Sequence, residues 1–506
     1  MNMLQCSLIY VLSFLFFAFF LINWIFSSDQ NTHKKLPPSP RKLPILGNLH
    51  QLGRYPYRSL RSLAQRYGPF MLLHFGKMPV LVISSAEAAR EVIKNHDLVF
   101  SDRPKFSLGE KLLYGSKDMS AAPYGEYWRQ MRSICVLQLL SNKRVQSFRT
   151  VREEEVALLM KKIENLASLS LTVNLSKMFY SLTNDVICRA ALGRKYNEDE
   201  SGKTLKLLKE FMVILSGFNI GDFIPWLGWV NLVTGFDAKV ERVAKEFDKF
   251  LDEIVEAHLH DQERETNHGD ESEARKDFVD VLLEIQKDNS ASLSTVSIKA
   301  LILDMFSGGI DTSSAFLDWT MTELLRHPRV MKELQNEIRQ IANSEPYIKE
   351  EDLGKMQYLK AVIKESFRLY PPLPILVPRA STQDVRIKGY DIPVGTIIIT
   401  NAWAIGRDPA TWEEPEEFRP ERFLNNSIDF KGHDFELLPF GAGRRGCPAT
   451  SFAMANNELV LANLVHKFDW SLPSGTRSED IDMTESPPML HRKVPLLAVA
   501  TPIPLH

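Results

Sequence analysis

The stretch PFGAGRRGCPAT, from Pro439 to Thr450, places one cysteine among three glycines and two arginines. Cys447 lacks the apolar neighbours that usually surround a structural cysteine, which favours a reactive or metal-binding thiol. A helical pattern follows, and Pro448 suits the first helical position because its missing N–H costs nothing there. We therefore expect Cys447 at the positive end of a helix dipole, where thiolate is favoured over thiol.

The rest of this loop is suited to bind an anion. Gly441, Gly443 and Gly446 permit a tight turn whose amides can approach the sulfur. The guanidinium of Arg445 presents two parallel donors, which match a carboxylate. A thiolate and a carboxylate clamp on one loop favour a haem whose iron is held by sulfur.

These residues match the motif F-x-x-G-x-R-x-C-x-G at Phe440, Gly443, Arg445 and Cys447, and the chain resembles the cytochrome P450 family. The resemblance implies a mainly α fold with a minor β-sheet region, and haem b with Cys447 as its axial ligand and metal-binding residue. It also implies O2 as co-substrate. The last motif position, usually glycine, is Ala449, from which we expect a small packing change rather than loss of the cofactor. A reactive or merely structural cysteine is the alternative.

Two further segments carry charged residues of the family pattern. In ESFR, Glu365 and Arg368 lie three residues apart on one helix face and can pair. From the residues alone this would be a solvated pair worth about 0.3 kcal/mol. The resemblance instead implies a buried structural ion network, which Arg422 in FRPERF completes.

The segment WRQMR places Trp128 and Arg132 four residues apart, on one helix face. The resemblance assigns both residues to the haem propionates and adds Arg379, which follows the PPLP turn. A surface helix with an aromatic contact is the alternative for WRQMR.

An apolar helical pattern, LILDMFSGGIDTSSAF, contains Gly308 and Gly309 at its middle. Each interior glycine costs about 1 kcal/mol relative to alanine, so we expect a groove at this point of the helix. The next residues are Asp311 and Thr312, to which the resemblance assigns catalytic roles in proton delivery for O–O cleavage. A serine- and threonine-rich helix without a catalytic role is the alternative.

The resemblance also gives a set of mainly apolar candidates for the substrate pocket. By position in the family these are Phe106, Leu108, Asp304, Ser307, Gly308, Ile375, Leu376, Val377, Met489 and Leu490. Such a lining would orient a substrate by shape and by a few polar contacts.

The composition is that of an ordinary globular protein, with 44% hydrophobic residues, 25% charged residues and a net charge of −2. No basic field indicates a nucleic acid partner. The four cysteines lack C-x-x-C spacing, so neither a disulfide framework nor a cysteine zinc site is expected.

The first 28 residues contain no charged side chain, and residues 7–26 offer the roughly 20 apolar residues needed to cross a bilayer. The first cations follow this segment. We therefore expect a single N-terminal transmembrane anchor at 1–28, with the remainder in the cytosol. A proline- and glycine-rich hinge at 29–53 and a haem-thiolate catalytic domain at 54–506 complete the expected organisation, at the endoplasmic reticulum membrane. A buried core helix is the alternative to the anchor.

Elsewhere, MLLHFGKMPVLVISS predicts two short strands joined at Gly76-Lys77, and VRIKGYDIPVGTIIIT predicts a small β-sheet. The polar segment 258–277 predicts a solvated loop; its histidines, His258, His260 and His268, do not favour a metal site. Residues 211–232 are too interrupted to span a membrane, but they could dip into its interface.

No flavin or nicotinamide fingerprint is convincing. GAGRRG contains G-x-G-x-x-G but does not follow a strand of a βαβ unit. Electrons from NADPH must therefore come indirectly, through an NADPH–cytochrome P450 reductase, with cytochrome b5 as a further candidate partner. We expect a basic docking surface for the reductase that includes Arg129, Lys143, Arg144 and Arg444.

The expected function is a monooxygenase that hydroxylates or otherwise oxidises a small lipophilic plant metabolite. Segments such as SICVLQLLSNKRVQSF resemble coumarin-processing members of the plant A-type microsomal group, so a coumarin, furanocoumarin or other phenylpropanoid is the first candidate. A terpenoid or alkaloid oxidase is an alternative. An oxygen-independent haem isomerase or dehydratase, and a non-catalytic haem-binding membrane protein, are alternatives from other classes.

Overall fold

A computed structural model of the chain describes residues 10–20, 34–195, 198–268, 276–288, 293–343, 345–487 and 489–503. Helices dominate these ranges, as predicted. Their bounds are α1 (Tyr10–Phe20), α2 (Pro56–Tyr67), α3 (Ala86–Arg90), α4 (Ser107–Leu112), α5 (Glu126–Ile134), α6 (Asn142–Ser147), α7 (Arg149–Ser168), α8 (Leu175–Leu192), α9 (Glu198–Leu215), α10 (Ile220–Phe223), α11 (Trp229–Val233), α12 (Phe236–His268), α13 (Phe278–Lys287), α14 (Thr295–Arg326), α15 (Pro328–Ala342), α16 (Glu350–Leu353), α17 (Gln357–Leu369), α18 (Ala402–Ile405) and α19 (Thr450–Lys467).

The strands are short and peripheral. They are β1 (Phe70–Phe75), β2 (Met78–Ile83), β3 (Val173–Asn174), β4 (Arg379–Ala380), β5 (Val385–Ile387), β6 (Tyr390–Ile392), β7 (Ile397–Thr400), β8 (Phe468–Ser471), β9 (Glu485–Ser486), β10 (His491–Arg492) and β11 (Leu497–Pro502). The largest described sheet has the order β1-β2-β7-β4, with β1 and β2 antiparallel across the predicted Gly76-Lys77 turn. β5 and β6 form the predicted hairpin, and β7 joins the large sheet parallel to β2. Both sequence predictions of strands are confirmed.

Helix α14 runs through the centre of the protein and is buried along most of its length. It starts at the cap of Ser294, whose hydroxyl accepts the Ser297 amide over 3.1 Å. α8, α17 and α19 pack around it. The glycines and the threonine at its middle therefore lie deep inside the molecule.

Two predicted boundaries are wrong. The polar segment from His258 to Asp277 is not a loop throughout, since α12 continues to His268. A helix end that is largely exposed to solvent carries mostly polar residues, so its composition resembles that of a loop. The last helix begins at Thr450 rather than at Pro448, so Cys447 precedes the helix by three residues.

The hinge packs against the large sheet over its described part. The Asn48 side-chain oxygen accepts the His74 amide of β1 over 2.8 Å. Gly47 has φ +60°, and a Cβ there would lie 2.2 Å from the His74 carbonyl oxygen, so this close approach requires glycine. The segment is therefore attached to the catalytic body.

The predicted transmembrane span falls largely outside the described residues, which include 10–20 of it as the apolar helix α1. In the described part of the chain, no single helix is both long and apolar enough to cross a bilayer. One bent pair of helical segments, Thr204–Phe223 and Pro225–Val233, passes by length and composition together. The ring of Phe20 lies 5.9 Å from that of Trp226, which joins α1 to this pair.

Candidate active site

Cys447 lies at the end of a tight loop. Its amide donates to the Phe440 carbonyl over 2.9 Å, which closes the loop. Gly443 has φ +65°, and a Cβ there would lie 2.7 Å from Asp97 Oδ1. Gly443 therefore contributes a backbone conformation that the loop requires, and a side chain at this position would displace its neighbours.

The exposed surface of Cys447 faces a cavity, and protein encloses the residue on its other sides. Burial raises the pKa of Cys447, while the Ala449 amide and the charge of Arg132 act in the opposite direction. The helix-end effect predicted from the sequence is thus outweighed by burial. A metal cation at the sulfur would reverse this balance, since thiolate is the form that binds metals.

The cavity lies between the cysteine loop and the middle of α14 and has a volume of about 370 Å³. It brings together most of the residues predicted from the sequence. Those that line it are Trp128, Arg132, Asp304, Ser307, Gly308, Thr312, Leu376, Val377, Arg379, Phe440, Arg445, Cys447 and Met489.

Four residues expected in the substrate pocket do not line this cavity in the described part of the chain. Phe106 packs against the core of the large sheet, Leu108 belongs to the main helical core, and Ile375 contacts both. Leu490 is fully buried, and its carbonyl accepts the Trp319 indole N–H over 2.6 Å. Position along the family pattern does not determine side-chain direction: Leu108 and Leu490 are buried in the core, and Phe106 and Ile375 pack against it.

Four arginines crowd one end of the cavity. Arg379 donates to Asp97 Oδ1 over 2.9 Å, whereas Arg103 and Arg445 donate to main-chain carbonyls. Burial lowers the pKa of all four, including Arg132; with repulsion from Arg379, the pKa of Arg445 falls to about 10. Buried like charges of this kind fit a ligand that brings two carboxylates, as haem does with its propionates.

Arg103 is the member of this cluster that the sequence analysis missed. It lies between Asp102 and Pro104 in a segment without helical or strand periodicity, so it resembles an ordinary loop cation. The cavity walls contributed by α8 and α9 were also missed, because helical periodicity marks such residues only as core. They are Thr183, Val186, Ile187, Met212 and Leu215.

The structure brings Glu365, Arg368 and Arg422 together. Glu365 accepts two hydrogen bonds from Arg368, at 2.7 and 2.8 Å, and one from Arg422 Nε at 3.0 Å. The Glu365 and Arg368 side chains are both 0% exposed. Arg368 donates further to the carbonyls of Gly406 and Pro415, so its remaining donors are satisfied. This is a buried network and not a solvated helix pair.

The two glycines of α14 face different surroundings. A Cβ on Gly308 would meet nothing within 4 Å, because this residue borders the cavity. A Cβ on Gly309 would lie 2.6 Å from Ile187 Cδ1, so this glycine permits close packing of α8. Thr312 borders the same cavity, and its hydroxyl donates to the Gly308 carbonyl over 2.6 Å. The groove expected at this point of the helix is present beside Gly308.

Two acidic residues of α14 have perturbed proton affinities. Burial raises the pKa of Asp311, whose carboxyl lies behind the cavity wall. Burial and the nearby Asp118 hold the pKa of Asp304 well above its usual value. Asp304 accepts the Met119 amide over 2.6 Å and borders the cavity. A carboxyl that stays protonated at neutral pH can donate a hydrogen bond to a molecule in the cavity.

Comparison with known proteins agrees with this geometry. The model of the Cytochrome P450 family matches residues 37–498. A protein named Cytochrome P450 736A117, from Prunus mume, is 56% identical over 98% of this chain and 97% of its own length. Norfluorocurarine oxidase from a Strychnos species is 53% identical over 98% of both chains. A zebra fish cytochrome P450 structure with abiraterone aligns at a TM-score of 0.75 and 25% identity, over 89% of this chain and 100% of that one.

Proposed function

Since the chain belongs to the cytochrome P450 family, we propose that its cavity holds haem b with Cys447 as the axial ligand. Trp128, Arg132, Arg379 and Arg445 would surround the propionates. The enzyme is a P450 monooxygenase that uses haem-thiolate iron, O2 and electrons from a reductase. The residue assignment is supported by one observation above all: a single cavity contains both the Cys447 thiol and the buried arginines.

Haem supplies the binding and activation of O2. The residues of this chain would hold the substrate, exclude water and deliver protons. Thr312 is suited to the last task because its hydroxyl borders the cavity and is oriented by the Gly308 carbonyl. Asp311, the next residue toward the N-terminus, would store the proton that Thr312 passes on. The open space beside Gly308 leaves room for O2 and substrate.

The substrate is a small molecule, and we propose a lipophilic one because apolar side chains dominate the distal wall of the cavity. A coumarin, furanocoumarin or other phenylpropanoid is the first candidate. In its protonated form, which burial favours, Asp304 would donate a hydrogen bond to a carbonyl or ring oxygen of such a molecule. A terpenoid or an alkaloid is the second candidate, and a relative bearing the name norfluorocurarine oxidase favours testing nitrogen heterocycles as well.

The substrate class is tested by a spectral screen of the haem-loaded enzyme against coumarins, monoterpenes, sesquiterpenes and alkaloids. Displacement of water from the iron by a true substrate gives a low-to-high-spin shift. The compound should then accelerate NADPH consumption in the presence of reductase and yield an oxidised product. Asp304→Asn should weaken binding of an oxygen-bearing hit. Shifts confined to terpenes would refute the coumarin proposal, and NADPH consumption that no compound accelerates would refute the oxidation of these classes.

We further propose that residues 1–28 anchor the chain in the endoplasmic reticulum membrane with the catalytic domain in the cytosol. An apolar surface around α11 would lie on the same membrane. Trp226 and Trp229 are 49% and 58% exposed, and Phe20 of α1 contacts Trp226. Changing both tryptophans to glutamate in an anchorless protein should reduce sedimentation with phospholipid vesicles. Unchanged partitioning would contradict the contact.

The reductase, and as a further proposal cytochrome b5, would dock near the cysteine loop. Arg129 and Lys143 are exposed, whereas Arg144 donates to main-chain carbonyls and Arg444 pairs with Asp97 at 2.8 Å. Arg129 and Lys143 should therefore contribute most to the attraction of an acidic partner. Changing both to glutamate should slow the first electron transfer at low salt. An unchanged rate would place docking elsewhere.

A further inference from the structure

The carboxyl of Asp311 lies outside the cavity lining, on a face of α14 that meets three other elements. His491 on β10 places Nε2 4.0 Å from Asp311 Oδ2. Tyr180 on α8 and Lys209 on α9 complete the surroundings. The Asp311 side chain is 11% exposed and that of His491 is 33% exposed, so the imidazole is the more accessible of the two groups.

Tyr180 and Lys209 are the other two polar residues of this cluster. The Tyr180 hydroxyl is buried near the Asp311 carboxyl, but no described residue lies within hydrogen-bond distance of it. The Lys209 ammonium lies 4.6 Å from the centre of the Tyr180 ring and is exposed. The cluster thus contains an unused donor and a positive charge at its outer edge.

The proton affinities of the two central groups approach one another. Burial raises the pKa of Asp311, and burial together with the charge of Lys209 lowers the pKa of His491. A proton can pass readily in either direction only between groups whose pKa values are similar. A separation of 4.0 Å is too long for a direct hydrogen bond, but one bridging water or a small side-chain rotation closes it.

We propose that His491 is the positioning residue through which solvent protons reach Asp311. This inference rests on the proposed role of Asp311 and Thr312. Each turnover consumes one O2, two electrons from the reductase and two protons; one oxygen atom enters the substrate and the other leaves as water. Each proton moves from His491 Nε2 to Asp311 and onward to Thr312, and solvent then reprotonates the imidazole. The charge of Lys209 partly offsets the effect of burial on the Asp311 carboxyl.

The first experiment tests the coupling of the two groups without turnover. Histidine-selective 13C labelling of the reduced, carbon-monoxide-bound protein gives the titration of each imidazole by NMR. Asp311→Asn should lower the pKa of His491 by about 1 or more, because it removes an opposite charge at close range. The exposed His50 serves as the internal control and should not respond. An unchanged His491 titration would overturn the proposal.

The second experiment measures proton delivery. With a substrate from the spectral screen, His491→Gln keeps the size and polarity of the side chain but cannot carry a proton. We expect about tenfold less product per NADPH, more hydrogen peroxide, and a larger solvent deuterium isotope effect. His491→Lys, which restores a titratable cation, should recover part of the coupling. His50→Gln should match the wild-type enzyme.

These variants distinguish the role of His491 from the proposed roles of Asp311 and Thr312. If Asp311→Asn and Thr312→Ala uncouple the enzyme while His491→Gln does not, the inference about His491 fails and the proposed roles of Asp311 and Thr312 stand. If neither Asp311→Asn nor Thr312→Ala affects coupling, the proposed roles fail, and the inference fails with them.

Discussion

The protein buries arginines in two regions, which differ in whether a carboxylate lies beside them. In the Glu365 network, Arg368 and Arg422 share the Glu365 carboxylate, and main-chain carbonyls accept hydrogen bonds from the remaining donors of Arg368. Around the cavity, Arg103, Arg132 and Arg445 have no carboxylate partner among the described residues, and burial lowers their pKa values. Buried cations that share a carboxylate support the fold. Buried cations without a carboxylate are suited to bind an anionic ligand.

The largest effect should come from breaking the paired region. Glu365→Gln keeps the volume but leaves Arg368 and Arg422 buried without a counter-charge, which costs about 3 to 5 kcal/mol of unfolding free energy. Urea unfolding of the purified protein measures this loss. Glu413→Gln removes an exposed carboxylate that pairs with Arg419, and it should leave the unfolding free energy almost unchanged, because solvent screens this pair. Equal stability of the two variants would show that the Glu365 network does not support the fold.

Removing one arginine of the cavity should affect haem binding and leave the stability of the apoprotein intact. Arg132→Leu removes a buried cation that has no hydrogen bond with a described residue, so the apoprotein should unfold at the same or a higher urea concentration. Haem should dissociate about 10- to 100-fold more readily, because a charge-assisted hydrogen bond worth about 1.5 to 3 kcal/mol is lost. Haem titration of the apoprotein measures this, with the exposed Arg66→Leu as control. A destabilised apoprotein with unchanged haem affinity would refute the assignment.

Asp318 is an intermediate case. Ser176 donates to both of its carboxylate oxygens at 2.9 Å, and burial raises the pKa of Asp318 to about 6 from the usual 3.8. The folded state therefore holds this proton more tightly than the unfolded state. The resulting stability is complete below pH 4 and is lost as pH rises through 6.

The expected loss from this one group between pH 5 and pH 7 is about 1 kcal/mol. Asp318→Asn should remove that part of the pH dependence, as followed by urea unfolding at both pH values. The exposed Asp288→Asn should leave the dependence unchanged. If the Asp318 variant keeps the wild-type pH slope, the carboxyl does not titrate in this range.

The smallest effect should come from Ala449, the departure from the family motif. Ala449 has φ −93° and caps α19, a conformation open to alanine as well as glycine. Ala449→Gly should change the unfolding free energy by less than about 1 kcal/mol, because glycine is the better capping residue but the more flexible one. The absorption spectrum of the bound haem should not shift. A shifted spectrum would show that the methyl group touches the cofactor.

The features set by local sequence rules were predictable, whereas those set by contacts between distant residues were not. The cysteine loop, the two strands around Gly76 and the glycine pair of α14 follow from local rules, because turns and helix interiors constrain residue types strongly. Arg103, the walls from α8 and α9 and the partners of Asp311 depend on contacts between residues far apart in sequence. Leu490 and Phe106 show the converse: their segments lie near the cavity, but Leu490 is buried in the core and Phe106 packs against the large sheet.

The central claim, that Cys447 binds the haem iron while the unpaired arginines hold the propionates, is tested most directly in Cys447→Ser. We expect the variant to retain haem with reduced affinity, because the arginines remain. Its reduced, carbon-monoxide-bound form should lack the absorption band that gives the family its name. Persistence of that band in Cys447→Ser would contradict the assignment of the axial ligand.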